Sequence, residues 1–130
     1  MTRAMPDSPH LPHALYLATQ VRALDRTAIE VHGIPGMELM ERAGSAMTEV
    51  LWEFLESLDH DHHGGHEQPA EARVLIVCGK GHNGGDGLVM ARLLAEQELP
   101  VTVMLLHESG NLRPAARLNF DRLPAEVAVV

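Results

Sequence analysis

The sequence predicts an α/β protein built on a parallel, Rossmann-like sheet with helices on both faces. Two observations lead to this class. Val74–Cys78 is a short apolar run rich in β-branched side chains, which is typical of a central strand buried on both faces. A glycine-rich segment and a helix-like segment follow it at once, and a second strand-like run comes after them. Strands that alternate with helices form parallel sheets through right-handed crossovers, which gives a three-layer α/β/α arrangement.

Composition limits the possible classes of protein. The 130 residues suit a single domain, and 45% of them are apolar, which is enough for a core. The formal net charge of −8 argues against nucleic acid and against an anionic membrane as a partner. No run has the length of a signal-peptide core or of a membrane span, so we expect a cytoplasmic protein. The single cysteine, Cys78, falls in the predicted core strand, where a buried and inert thiol is expected.

Two helices are predicted before the sheet. Residues 1–15 lack any period and are expected to form a flexible arm, and the domain proper is expected to span 16–130. The first helix should run from Thr19, as N-cap, to His32. Gly33 suits the left-handed position that ends such a helix, and Pro35 suits the first position of the next.

The second helix is predicted from Pro35 to about Leu58. Gly44 inside it costs helix stability and indicates close approach of another backbone. Its inward stripe is expected to contain the apolar residues at helical spacing. These are Met40, Ala43, Met47, Val50 or Leu51, and Phe54.

Residues 59–72 are predicted to be a polar linker. The segment carries four of the nine histidines, between positions 60 and 66. Such a tract can bind Zn²⁺ or Ni²⁺ adventitiously, but it lacks the cysteines and the rigid framework of a structural zinc site. A flexible surface insertion is the favoured interpretation, and a metal site is the alternative.

The remaining elements follow from the pattern after the glycines. A helix should start near Asp86, and a strand should cover Val101 to Leu106. A loop over 107–113 precedes a helix over 114–123, with Ala115, Leu118 and Leu123 facing inward. Residues 125–130 then begin a third strand. Glu108 in the loop lies roughly where an acid binds a ribose hydroxyl in Rossmann proteins, although a solvated glutamate is favoured.

The glycine-rich segment is the main functional signal. Five glycines lie between positions 79 and 87, and three of them, Gly79, Gly81 and Gly84, have the dinucleotide-binding spacing. A strand, a glycine loop and a helix N-terminus together direct backbone N–H groups at an anion, usually a phosphate. We expect Gly84 and Gly85 to lie where a side chain would obstruct the ligand or strain the backbone, with Asn83 facing the same cavity. Gly85→Val should then abolish nucleotide binding with little loss of fold.

The motif GKGHNGGDGLVMAR resembles the signature of the NAD(P)H-hydrate epimerase family, the YjeF N-terminal domain, in which the loop typically reads G-x-G-N-N-G-G-D-G. Two upstream stretches also resemble this family, namely ATQVRALD at 18–25 and GIPGMELMERAG at 33–44. The resemblance covers about residues 15–106.

The resemblance implies an isomerase that interconverts the C6 epimers of hydrated NADH and NADPH in cofactor repair. It implies potassium as the ion, a homo-oligomer, and an NAD(P)H-hydrate dehydratase domain or protein as partner. The matching substrate-binding positions are His82, Asn83, Gly84, Gly85 and Asp86. Among them, Asn83 matches the asparagine that ligates potassium.

The polar residues of the glycine-rich segment allow more than one role. Asp86 could be the N-cap of its helix or could orient a ligand hydroxyl. Lys80 stands where the family commonly has proline and could reach a phosphate. No residue is a convincing general base for C6 chemistry. The alternative function is a non-catalytic nucleotide-binding or assembly module of the same fold, which the absence of the family's later segments favours. The chain also stops in a strand before the family's later D-x-P-S-G stretch, and we expect an N-terminal fragment with an incomplete sheet.

Overall fold

The computed structural model describes residues 15–60 and 72–130. The predicted N-terminal arm and most of the histidine-rich linker lie outside these residues. The chain divides into two compact units, Met1–Ile34 and Pro35–Val130.

The first unit contains helix α1, Ala18–Glu30. Its N-cap is Leu17 instead of the predicted Thr19, and the Gln20 side chain accepts a hydrogen bond of 2.7 Å from the Leu17 N–H. Gly33 adopts φ +67°, so the predicted left-handed residue after the helix is confirmed. Within this unit, no residue of α1 is buried.

The second unit is an α/β structure with a parallel sheet, which confirms the predicted class. Its strands have the order β1-β2-β3, and both neighbouring pairs are parallel. A 3₁₀ turn follows β2 at Ser109–Asn111. In chain order the helices and strands are α2 (Gly36–His60), β1 (Val74–Cys78), α3 (His82–Glu96), β2 (Val101–Leu105), α4 (Pro114–Phe120) and β3 (Ala128–Val129).

Strand β1 lies at one side of this sheet and is not central as predicted. Val74 pairs with Val101 of β2, and β2 is the strand between the other two. Ile76 and Cys78 face the α3 side, whereas Leu75 and Val77 are 55% and 54% exposed. Burial of β1 on both faces is therefore wrong for this unit, because the helices of the unit pack on one face of its sheet.

Helix α2 packs against α3 at Gly44, as the sequence indicated. A Cβ at Gly44 would lie 2.5 Å from the Val89 Cβ and 2.9 Å from the Asp86 carbonyl oxygen. This close crossing sets the face of α2 that is buried, which includes Met40 and Thr48. The predicted stripe is correspondingly shifted by about one residue. Met47, Val50 and Phe54, three of its members, are exposed.

Helix α4 is also rotated relative to the prediction. Ala116 and Asn119 are its buried residues, while Leu118 is 42% exposed. The core of the unit consists of the inner sides of the strands and helices, with Leu88, Leu94 and Val103 fully buried. No helix in the described ranges, 15–60 and 72–130, has the length and apolarity needed to cross a membrane.

Candidate functional site

Helix α3 begins at His82, four residues before the predicted start at Asp86. Gly81 is its N-cap, with an extended backbone, and its carbonyl accepts a hydrogen bond of 3.0 Å from the Gly85 N–H. The N–H groups of His82, Asn83 and Gly84 therefore precede the first donor bonded within the helix. They form a positive helix end beside the carboxyl end of β1.

Two glycines of the motif border open space. A Cβ built on Gly79 or on Gly81 would meet no atom within 4 Å. These residues flank Lys80, whose side chain is exposed. A ligand could therefore approach the backbone closely on both sides of Lys80.

The other glycines of the motif contact the protein itself. A Cβ on Gly84 would overlap the Gly79 carbonyl group, and one on Gly85 would lie 2.5 Å from the Met40 Cε. On Gly87 it would meet the Cys78 Sγ at 3.0 Å. Packing of α3 therefore gives a structural reason for glycine at these positions, and at Gly85 the nearest atoms belong to the end of the Met40 side chain. The small loss of fold expected for Gly85→Val stays a prediction, and the structure predicts a larger loss. The assignment of these glycines to substrate binding through the backbone stays a prediction.

The three polar positions of the motif differ in exposure. His82 and Asn83 are exposed in the first turn of α3, at the edge where the open glycines lie. Asp86 is half-buried and lies in the second turn. It is therefore not the N-cap, a position that Gly81 takes because the helix starts earlier. Asn83 and Asp86 are three residues apart, so they share one face of the helix.

The loops that follow β1 and β2 are joined by backbone hydrogen bonds. The Arg113 N–H donates to the Lys80 carbonyl at 2.9 Å, and the Leu106 N–H donates to the Cys78 carbonyl at 3.0 Å. Arg113, which is exposed, is thereby brought next to Lys80 at the carboxyl edge of the sheet. Sequence reasoning did not single out Arg113. Its position just before the helix-starting Pro114, after a second strand of a parallel sheet, was the available signal.

Cys78 is the last residue of β1, at the carboxyl edge of the sheet. It is 1% exposed, and burial raises the pKa of its thiol to about 11. The predicted burial of this cysteine is confirmed. A neutral thiol at physiological pH is a weak nucleophile, so its inertness stays a prediction.

No metal site of the His/Cys/carboxylate type is formed by the residues that the structure describes. The histidine tract lies almost wholly outside them, and potassium at Asn83 stays a prediction. A groove of about 410 Å³ lies between α2 and the second half of α3 and includes none of the expected site residues. Its lining residues are Ser45, Thr48, Glu49, Trp52, Glu53, Leu93 and Gln97.

The chain is similar to proteins named as NAD(P)H-hydrate epimerases and to proteins named as bifunctional NAD(P)H-hydrate repair enzymes. The chain is 42% identical over 104 residues to the NAD(P)H-hydrate epimerase of Rhodobacter capsulatus, which covers 78% of this chain and 45% of that protein. It is 40% identical over 107 residues to the bifunctional NAD(P)H-hydrate repair enzyme Nnr of Moorella thermoacetica, covering 82% of this chain and 18% of that protein. The chain thus spans less than half the length of these relatives.

A solved structure supports the fold. The crystal structure of yeast ynu0 superposes with a TM-score of 0.57 over 89% of this chain and 47% of that chain, at 23% sequence identity. The profile of the family described as YjeF-related protein N-terminus matches residues 36–130, which include every element of the second unit. Since this match covers well over half of the sequence, the chain belongs to the YjeF-related protein N-terminus family.

Proposed function

We propose that the protein is an NAD(P)H-hydrate epimerase that interconverts the C6 epimers of hydrated NADH and NADPH. The observation that carries this proposal is the helix end of α3, which opens at the carboxyl edge of the sheet beside the two open glycines. In open parallel sheets this edge is where ligands bind. The proposal is supported by the 42% identity to a protein named NAD(P)H-hydrate epimerase.

The diphosphate of the substrate would bind at the first turn of α3. The N–H groups of His82, Asn83 and Gly84 lack acceptors within the helix, and the helix dipole favours negative charge there. The absence of side chains at Gly79 and Gly81 allows the phosphate oxygens to approach the backbone. Backbone recognition of this kind fixes the position of the dinucleotide and leaves the exposed side chains to act on the rest of it.

Asn83 is the residue proposed to ligate potassium. Its side chain is exposed at the edge of the site, and an amide oxygen is a suitable hard ligand for an alkali cation. The carboxylate of Asp86 lies on the same face of the helix as Asn83. The donor types therefore fit the ion, which when bound would supply positive charge beside the substrate. We assign no general base among the described residues.

The test is the interconversion of the two hydrate epimers. Each purified epimer of hydrated NADH or NADPH is incubated with the protein, and the approach to the equilibrium mixture is followed by chiral chromatography. We expect equilibration to be accelerated by the protein, to depend on potassium, and to be slowed by Asn83→Ala. A matched control is Arg122→Gln, since Arg122 follows the far end of α4.

Tight binding of a nucleotide without equilibration of the epimers would contradict the enzymatic proposal. It would instead support the alternative, a non-catalytic nucleotide-binding module of the same fold. The two outcomes are separated because calorimetry with ADP-ribose measures binding independently of the reaction.

Three further assignments belong to the same proposal. An NAD(P)H-hydrate dehydratase domain or protein is the proposed partner, in agreement with relatives named as bifunctional repair enzymes. A homo-oligomer is proposed, and the exposed apolar side chains of Leu75 and Val77 are consistent with association. The cytoplasm is the proposed location.

A further inference from the structure

Two cationic side chains at the carboxyl edge of the sheet have no role in the proposed function. Lys80 lies between the open glycines, and Arg113 is held beside it by the backbone hydrogen bond of 2.9 Å. Both side chains are exposed. The hydrogen bond is made by the main chain, so it fixes the two Cα positions and leaves both charged groups available for a ligand.

These two cations differ from three of the other five arginines in the second unit. Arg42, Arg92 and Arg117 each pair with a carboxylate on a neighbouring helical turn or helix. In contrast, neither Lys80 nor Arg113 has an ion-pair partner within residues 15–60 and 72–130. In a protein whose net charge is −8, Lys80 and Arg113 thus place two cations without ion-pair partners in these ranges near the positive end of α3.

The position of Arg113 indicates which anion it meets. Proteins of this topology bind the diphosphate at the helix that follows the first strand, and they read the adenosine ribose from the loop that follows the next strand. An acid in that second loop accepts the ribose 2′-hydroxyl, whereas an arginine accommodates a 2′-phosphate. Here the second loop ends at Arg113, and the hydrogen bond to Lys80 ties it to the diphosphate-binding segment.

We propose that Lys80 and Arg113 bind the 2′-phosphate of the dinucleotide and make the protein prefer hydrated NADPH to hydrated NADH. The guanidinium would form paired hydrogen bonds with two phosphate oxygens, and the ammonium would add a point charge. This inference rests on the proposed function for the identity of the dinucleotide.

Glu108 provides the competing interpretation. It is exposed in the same loop, and it has no ion pair with Arg113 among the described residues. A carboxylate facing the ribose would favour the free 2′-hydroxyl and would repel a 2′-phosphate. A preference for the 2′-phosphorylated dinucleotide would therefore favour Lys80 and Arg113, and a preference for the free 2′-hydroxyl would favour Glu108.

The experiment compares 2′-phospho-ADP-ribose with ADP-ribose as probes, by isothermal titration calorimetry at two salt concentrations. For the wild-type protein, we expect the phosphorylated probe to bind at least about tenfold more tightly at low salt, with a smaller ratio at high salt. In the double variant Lys80→Gln, Arg113→Gln, the ratio should fall to about one. Arg122→Gln, which removes an exposed cation at the other end of α4, should keep the wild-type ratio.

Two results would overturn the inference. One is a wild-type ratio of one or below, which would favour Glu108. The other is a double variant that keeps the wild-type ratio while its thermal unfolding shows that it is folded. Failure of the proposed function is recognised separately, because a protein with the expected ratio that does not equilibrate the hydrate epimers is a binder of phosphorylated nucleotides and not an epimerase.

Discussion

The glycines of one nine-residue stretch serve two different purposes. Gly79 and Gly81 border open space, whereas a Cβ at Gly84, Gly85 or Gly87 would press on atoms of the protein. The open pair lies before the first turn of α3, and the packed set lies within that helix. The difference shows that a glycine-rich motif need not be a loop. Part of it leaves open space beside the backbone, and the other part lets a helix start almost in contact with the end of its strand.

Gly84→Ala should have the largest effect of the substitutions in this motif. The new methyl group would overlap the Gly79 carbonyl, which belongs to the backbone and cannot rotate away. We expect the free energy of unfolding to fall by about 3 kcal/mol or more, despite the better helix propensity of alanine. Urea denaturation followed by circular dichroism measures this change.

A fall of less than about 1 kcal/mol for Gly84→Ala would contradict the packed interpretation. Gly85→Ala is the matched comparison at the next residue. Its methyl group would meet the end of the Met40 side chain, which is flexible. We expect a smaller loss than at Gly84, because Met40 can change rotamer.

Gly85→Val should cost more than Gly85→Ala. The additional methyl groups would enter the junction of α2, α3 and α4, where Met40 and the Ala116 Cα lie nearby. Overpacking of a buried site typically costs about 1–3 kcal/mol. The measurement is the midpoint of thermal unfolding. A midpoint equal to that of the wild-type protein would show that this part of the motif is not packed.

The Cys78 thiol lies beside Gly87, one of the packed glycines. Its ionisation should make the free energy of unfolding depend on pH. Burial raises its pKa from 9.0 to about 11, so the folded state holds this proton more tightly than the unfolded state does. The stabilisation is complete below pH 9 and is lost as the pH rises from 9 to 11. The expected loss is about 1–3 kcal/mol.

The comparison that isolates this effect is Cys78→Ala, which lacks the ionising group. The difference in unfolding free energy between the two proteins should shrink between pH 9 and 11. A constant difference would mean that the thiol is not desolvated. Slow reaction of the native thiol with an alkylating reagent at pH 8 gives a second reading of the same burial.

Gly81→Ala should have the smallest effect on stability. The residue has φ −95°, which alanine adopts readily, and open space surrounds the new methyl group. We expect a change of less than about 1 kcal/mol, from the poorer N-cap. The same methyl group would stand in the proposed path of the phosphate, so the affinity for ADP-ribose should fall about tenfold or more. Unchanged affinity in calorimetry would contradict the open interpretation.

The sequence predicted the class and the order of the elements well, but not which faces are buried. The run from Val74 to Cys78 has five apolar residues, and hydrophobicity alone could not show that Leu75 and Val77 would be exposed in this unit. The inward stripe of α2 was shifted for a similar reason. Apolar spacing gave several possible faces, whereas the close approach between Gly44 and Val89 selects one.

The location of the candidate site stays a prediction, but the structure divides its glycines between loop and helix differently from what the sequence indicated. Low helix propensity made Gly84 and Gly85 look like loop residues, which moved the expected start of α3 to Asp86. Propensity describes the isolated helix, while the tight approach to Gly79 is a tertiary requirement that the sequence does not display. Arg113 was missed because its proximity to Lys80 depends on a backbone hydrogen bond between segments more than thirty residues apart.

The contact between Gly44 and Val89 also bears on how the chain can vary during evolution. A helix that rests on a neighbour through long side chains can slide or rotate when its flanking segments change. In α2, the missing side chain at Gly44 forms a notch filled by the Val89 side chain, which fixes the helix along its axis and about it. The register of α2 on α3 therefore depends on a single missing side chain, so position 44 should accept little besides glycine even where other positions of α2 vary.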